Sequence, residues 1–377
     1  MRRSAVKFRG HLLDDTVKSV YGLAVADING DGQLDIIAGS TGDPIIAWYE
    51  APHWKRHLVT NQGSGHITIA PYDLTGNGTP DLIVGSGFFR GVNAAGGYLH
   101  WLEAPAQDGQ NWSSHHIADV PFIHRIALAN LSGSATNATP FLIVASIRGE
   151  DGKPGEWHSP GSLWCYELSD TPRDTASWHS HLLDDSLHIN HGLSINDVDQ
   201  DGRDDVLISC TEGLIWYEPP VAPMADDWGK WIISDRECSD TYAADIDGDG
   251  VNEILAIEPW HGNNLVWYKA TGDLRTDPWE RHLIDDTLNR GHSLAAVDVD
   301  DDGVLEIICG YNGEGTSLHL YRPENLAHNH WRKETIDNGG LGVGQMHVLD
   351  MNGNGRLDIV ASGLSTGNVK WYENLFS

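Results

Sequence analysis

The sequence predicts an all-β protein, a seven-bladed β-propeller of four-stranded blades that spans residues 1–377 as a single domain. Three observations point there: a recurring acidic-loop unit, an aromatic strand after each unit, and chain ends that complement one another.

The recurring unit carries the most weight, because self-similarity at a fixed period marks repeat architectures. Aligned on its first acidic position it reads "ADINGDGQLDIIAGS", "YDLTGNGTPDLIVGS", "ANLSGSATNATPFLIVAS", "NDVDQDGRDDVLISC", "ADIDGDGVNEILAIE", "VDVDDDGVLEIICGY" and "LDMNGNGRLDIVASG". A strand-like run with an aromatic pair or its relic follows each unit, as in "IIAWYEAP", "YLHWLEAP" and "LIWYEPP". A further run comes next, such as "HWKRHLVT" or "PWERHLIDD". With the strand ahead of the acidic loop, this makes four short strands per repeat of roughly 45 to 65 residues, the pattern of a propeller blade. The N-terminal "VKFRGHLLDD" matches a fourth strand, whereas the C-terminal "NVKWYENL" is only a third. The two ends are therefore expected to share one blade and close the ring, which also hides exposed sheet edges.

Composition narrows the partners. Lys and Arg total 24 against 54 Asp and Glu, a formal charge of -30. Such a surface repels nucleic acid and anionic membranes, and no stretch approaches the roughly 20 apolar residues of a membrane helix. The opening "MRRSAVKFRG" has no apolar run, so a cytoplasmic location is expected, with a trimmed leader left open. Cys165, Cys210, Cys238 and Cys309 lie in different repeats without metal-type spacing and read as reduced thiols.

Six of the seven loops follow D-x-[DN]-x-[DN]-G-x-x-[DE] or a relaxed form of it. Asp27, Asn29, Asp31 and Asp35 make one set; Asp197, Asp199, Asp201 and Asp205 make another. Asp245, Asp247, Asp249 and Glu253, then Asp298, Asp300, Asp302 and Glu306, are equally acidic. Asp350, Asn352, Asn354 and Asp358 carry less charge, as do Asp73, Thr75, Asn77 and Asp81. Alternating oxygen donors around a glycine turn suit a hard cation, so structural calcium is expected in these loops. The pattern resembles the calcium loops of FG-GAP, VCBS or integrin-type propellers. The competing reading is that Asp and Asn merely cap backbone turns.

Residues repeated in every blade belong to the scaffold. That sorts most tryptophans into third and fourth strands, and His11, His57, His115, His181 and His282 into a W-x-x-H type fourth strand. What remains is asymmetric. His66, His124, His191 and His292 stand six or seven residues before the acidic position, at the start of the innermost strand. Long loops between second and third strands reach the same face with Arg90, Arg148, Trp157, His158, Trp260 and His261. His188, Tyr242, Arg290 and His347 lie near it in sequence. Imidazoles from separate blades can act as bases near neutral pH or bind a metal. Tryptophan faces suit sugar rings and arginine suits an oxyanion. A carbohydrate ligand at the channel mouth is the expectation, with His66, Arg90, Arg148, Trp157, His158, Tyr242, Trp260, Arg290 and His347 contacting it.

A narrower resemblance lies in "FIHRIAL", "HINHGLSI" and "PWHGNNLVWY", which look like the propeller domain of aldos-2-ulose dehydratase, an enzyme that removes water from keto-sugars. The resemblance implies functional roles for His124, Arg125, His188, His191 and His261. It also implies β-elimination, in sugar lyases as in the dehydratase. On this reading His191 or His188 is the base or a metal ligand, Arg125 stabilises the enolate and His124 is the partner acid–base group. His261 and His292 are further ligands or proton donors, around a divalent metal such as zinc, manganese or magnesium. A lectin-like propeller without turnover and an integrin-type protein-binding propeller are the alternatives.

Overall fold

The structure is a computed structural model and describes residues 7–88, 96–106, 111–133, 139–150, 157 and 159–376. Seven four-stranded antiparallel sheets form the ring. The first blade runs outward from the axis through Val20–Ala26, Asp35–Ser40, Ile46–Glu50 and Lys55–Thr60, and five more repeat that order. The last blade takes Val343–Leu349, Asp358–Gly363 and Asn368–Asn374 from the C-terminus and its outermost strand, Phe8–Asp14, from the N-terminus. Phe8 pairs with Asn374 and Leu12 with Lys370. The innermost strand Val20–Ala26 packs against both Thr68–Tyr72 and Val343–Leu349, so the ring is closed as the chain ends suggest.

Burial explains why the strands differ. Second strands such as Asp35–Ser40 and Asp205–Cys210 are buried at every position, because both faces meet a neighbouring blade. Fourth strands such as Lys55–Thr60 are largely exposed. The apolar core is accordingly divided among the blade interfaces: Ile143, Leu163 and Cys165 of the third blade pack with Val206, Ile208 and Tyr217 of the fourth. The four cysteines are buried free thiols.

A polar latch also joins neighbouring blades. Tyr217 donates its hydroxyl to Asp184 of the preceding blade at 2.6 Å, and Tyr321 does the same to Asp285 at 2.6 Å. Tyr49 with Asp14, and Tyr372 with Asp337, repeat the contact at 2.7 Å. Burial alone would raise the Asp285 carboxyl, but hydrogen bonds from Lys333, Thr287 and Tyr321 outweigh it and pull it down to about 2. Because the folded value lies below the unfolded one, the stabilisation is full above about pH 4 and fades as pH falls toward 2. Asp285→Asn is therefore expected to cost roughly 1–3 kcal/mol at pH 7. In urea melts the gap to wild type should close in acid; a gap independent of pH would contradict the latch.

The fourth-strand histidines are scaffold as expected. His57 stacks on Trp48 at 4.2 Å between ring centres and meets Glu50, while His115 stacks on Trp101 at 4.4 Å and meets Glu103.

The acidic loops hold themselves together through their first and last carboxylates. Asp27 accepts from the backbone N–H of Gly30, Asp31 and Gly32, the last a residue with φ of +85° that favours glycine. Asp35 is buried and accepts from Ile28 and Ala51, tying the loop to the end of the third strand; burial lifts its carboxyl to about 6. Basic side chains fill three of the loops. The Lys269 ammonium lies on Asp247, Asp249 and Glu253, and the Arg322 guanidinium on Asp300 and Glu306. In the fourth blade Arg275 takes Asp199 and Arg203 takes Asp201. Among the described residues no lysine or arginine reaches the carboxylates of the first, second or seventh blade's loop. The third repeat, which lacks carboxylates of its own, borrows one: Asp204 of the next blade accepts from Asn130 N–H at 2.7 Å.

Candidate active site

Four innermost strands lose register near their start; in Val343–Leu349 the slip lies between Val343 and Met346, and the other three are one-residue bulges that aim a ring at the axis. The register slips between Val20 and Gly22, between Ile123 and Arg125, and between Gly291 and Ser293, leaving Tyr21, His124 and His292 as the extra residues. A bulge re-aims the side chain it carries, and here all three converge on the axis. Tyr21 hydroxyl lies 3.1 Å from His124 Nε2 and 3.2 Å from His292 Nε2. His191, just ahead of strand Gly192–Asn196, joins them, with ring centres 4.7 Å from His124 and 5.0 Å from His292. His261 arrives from the loop between Glu253–Glu258 and Asn264–Ala270, its Nε2 3.0 Å from His191 Nε2.

Tyr21, His124, His191 and His261 floor a pocket of about 410 Å³ whose walls are Phe88, Ile147, Trp157 and Trp260, with Arg290 at the side; His292 is buried beneath that floor, against Tyr21. Trp157 and Trp260 pack on each other, ring centres 5.3 Å apart and tilted by 59°, and so form one continuous aromatic wall.

Hydrogen bonding assigns the imidazole protons. A carbonyl oxygen only accepts, so Nδ1 carries the proton in three rings. His124 donates to the carbonyl of His191 at 3.1 Å, His191 to Ser239 at 2.7 Å and His292 to Gly344 at 2.7 Å. In their neutral form these rings therefore present an Nε2 lone pair to the axis. His261 is the reverse case. Arg290 donates to its Nδ1 at 3.1 Å, so its proton sits on Nε2 and points at His191. Burial, then Arg125, holds His124 well below the usual imidazole range; burial, then His261, does so for His191. Both rings are neutral near pH 7.

The structure sorts the expected residues. It brings His124, His191, His261, His292, Trp157, Trp260 and Arg290 together. His66 stands apart. It lies seven rather than six residues before its acidic position, and its Nδ1 bonds Ser86, which bonds His100 in turn. His188 is also excluded: Glu212 captures its ring at 2.7 Å and its N–H at 2.8 Å on the outside. Arg125 points away from the pocket, its guanidinium 4.9 Å from the Tyr21 ring centre, into the channel below. Tyr242 and His347 line that lower channel as well. Arg148 lies behind the wall, stacked on Phe122 at 4.0 Å and facing Trp157 at 5.2 Å. Arg90 and His158 fall outside the described residues.

Tyr21, Phe88 and Ile147 escaped the sequence reading. Tyr21 had a signal: it stands six residues before Asp27, the same register as His124, His191 and His292.

Fold and site together define a class, a seven-bladed propeller of FG-GAP-type repeats with a histidine pocket at one end of its axis. Residues 17–84 and 245–309 match the FG-GAP-like repeat model. The chain is, more narrowly, similar to the propeller of aldos-2-ulose dehydratase: residues 96–271 match the model of that enzyme's beta-propeller domain. Aldos-2-ulose dehydratase of Phanerodontia chrysosporium is 22% identical over 328 residues, 78% of this chain, and the chain spans about a third (34%) of that protein's length. The matched stretch contains His124, His191 and His261 but not Tyr21, Arg290 or His292. Two solved structures share the fold alone. An Agrocybe aegerita lectin that recognises non-reducing terminal N-acetylglucosamine has a TM-score of 0.53 at 13% identity, covering 96% of this chain and 87% of its own. BBS1N in complex with ARL6DN has a TM-score of 0.58 at 11% identity, covering 99% and 97%.

Proposed function

We propose that the protein is a carbohydrate lyase. It eliminates water or a glycosidic oxygen from a keto-sugar or uronate-type substrate bound in the axial pocket. The observation that carries this reading is the meeting of His124, His191, His261 and His292 with the Tyr21 hydroxyl beneath two tryptophans. Similarity to a dehydratase supports the reaction class.

A substrate carbonyl acidifies the neighbouring C–H, and loss of that proton gives an enolate that can expel oxygen from the next carbon. Tyr21 has one phenolic proton and two imidazole nitrogens within reach, so it serves only one at a time. His124 Nε2 takes the carbon-bound proton, and the electron pair moves into the new C=C bond. Tyr21 O–H gives its proton to the departing oxygen, and the proton on His124 then returns to the phenolate, restoring both groups. The Nε2–H of His261 is a donor for the enolate oxygen. Trp157 and Trp260 hold the sugar ring and keep water from it.

A metal also fits. His191, His261 and His292 offer ring nitrogens within 4.8 Å of one another, and an all-imidazole set suits zinc better than magnesium or manganese. His191 and His292 already present lone pairs; His261 would have to release Nδ1 from Arg290. A bound ion supplies Lewis-acid polarisation of the substrate oxygen.

The test is incubation with 1,5-anhydrofructose or a keto-glycoside while following enone absorbance. A signal in wild type that is lost in His124→Ala is the expected result. Binding without absorbance change in both proteins would make this a lectin-like propeller instead.

For calcium, the loops of residues 27–35 and 350–358 are the proposed structural sites, because basic side chains already neutralise the loops of the fourth, fifth and sixth blades. Chelation should lower the melting temperature of wild type, and calcium should restore it. No change on chelation would remove these sites from consideration.

A further inference from the structure

Beneath Tyr21 the axis holds a second chamber of about 440 Å³, lined by residues from all seven innermost strands. Arg125 projects into it and is 6% exposed. Among the described residues its guanidinium has no hydrogen-bond or ion-pair partner, and its Nη1 is fully buried. Thr241 Oγ1, on another strand of the same chamber, is likewise buried without a partner. Asp240 shares the wall and feels the Arg125 charge, although burial still lifts its carboxyl to about 7; among the described residues no contact ion pair joins the two. Later residues of the innermost strands, Leu128, Ile195, Val297 and Val348, make an apolar collar toward the acidic-loop face.

Even with the Asp240 charge nearby, an enclosed guanidinium whose buried donor meets no acceptor is costly. Stacking on the Tyr21 ring offsets only part of that cost. Two unsatisfied donors facing one chamber of small-molecule size point to a ligand that accepts from both.

We propose that this lower chamber is a binding site for a small carboxylate. The carboxylate lays both oxygens on the guanidinium fork of Arg125, the geometry that arginine favours, and accepts from Thr241. Because Asp240 in the same wall already opposes part of the Arg125 charge, the chamber favours a monoanion over a dianion such as phosphate. The occupant is either a free carboxylate or the acid group of a sugar acid. The site is separate from the pocket above, and the inference does not depend on what that pocket does.

The experiment is calorimetric titration with acetate, glucuronate and inorganic phosphate, using wild type, Arg125→Met, Arg125→Lys and His261→Ala. Acetate should bind wild type and His261→Ala equally, and Arg125→Met at least about tenfold more weakly, with Arg125→Lys between them. Phosphate should bind more weakly than acetate. Glucuronate binding that follows the same Arg125 dependence identifies a sugar acid as an accepted source; acetate alone doing so identifies a free small carboxylate. Should Arg125→Met fail to fold, an acetate-soaked wild-type crystal decides the matter. Density for acetate on Arg125 supports the proposal, and ordered water alone overturns it. It is equally overturned if acetate gives no heat, or if its binding is lost in His261→Ala but kept in Arg125→Met.

Discussion

Tyr21→Phe is expected to lower kcat for elimination by about 10²- to 10⁴-fold while changing KM little, the range typical of a lost proton-transfer group. The substitution removes one oxygen atom. The ring stays against Arg125, and the carbonyl anchors that orient His124 and His292 do not involve it. The variant should therefore fold as wild type does, so a fall in kcat reports on the proton and not on collapse of the floor. His124→Ala should cost at least as much, and the double variant little more than the worse single one, because the two groups act as one unit. Unchanged kcat in Tyr21→Phe would remove the phenol from the chemistry.

The second expected result concerns zinc. Wild type should take up one ion per chain, and His191→Ala and His292→Ala should each bind it at least about 100-fold more weakly, as two ligands are left. Arg290→Met should move the other way. It removes the donor that pins His261 Nδ1, and with it a hydrogen bond of roughly 1.5–3 kcal/mol that metal binding would otherwise break. Affinity should rise by about tenfold or more. Competition against a zinc chelator measures all four proteins. Weaker zinc binding in Arg290→Met would show that His261 is not a ligand, leaving Arg290 as part of the site in its own right.

Some of this site was legible residue by residue, and the failures share a cause. His191 and His188 come from one motif, "HINH", yet Glu212 holds one outside while the other reaches the axis. His124 and Arg125 are adjacent, but the bulge at His124 sends them to different chambers. His66 is a single residue out of register, which is enough to turn a side chain elsewhere. Tracking the position rather than the residue type would have found Tyr21. The loops had a similar clue. Where the third strands of the first, second and seventh blades carry Glu50, Glu103 and Glu373, each on a fourth-strand histidine, the fifth and sixth blades have Lys269 and Arg322, which turn to the acidic loops instead.

Periodicity by itself determined the architecture: seven units, four strands each, a shared last blade, and the division between repeated scaffold residues and unequal functional ones. Those are properties of local spacing, which the chain carries wherever it folds. Which imidazoles meet, which nitrogen of each bears the proton and which chamber receives Arg125 were decided only in three dimensions. They depend on bulges and on carbonyls supplied by neighbouring blades, as when Ser239 orients His191 and Gly344 orients His292. Such partners lie some 50 residues apart in the chain, and only ring closure brings them together.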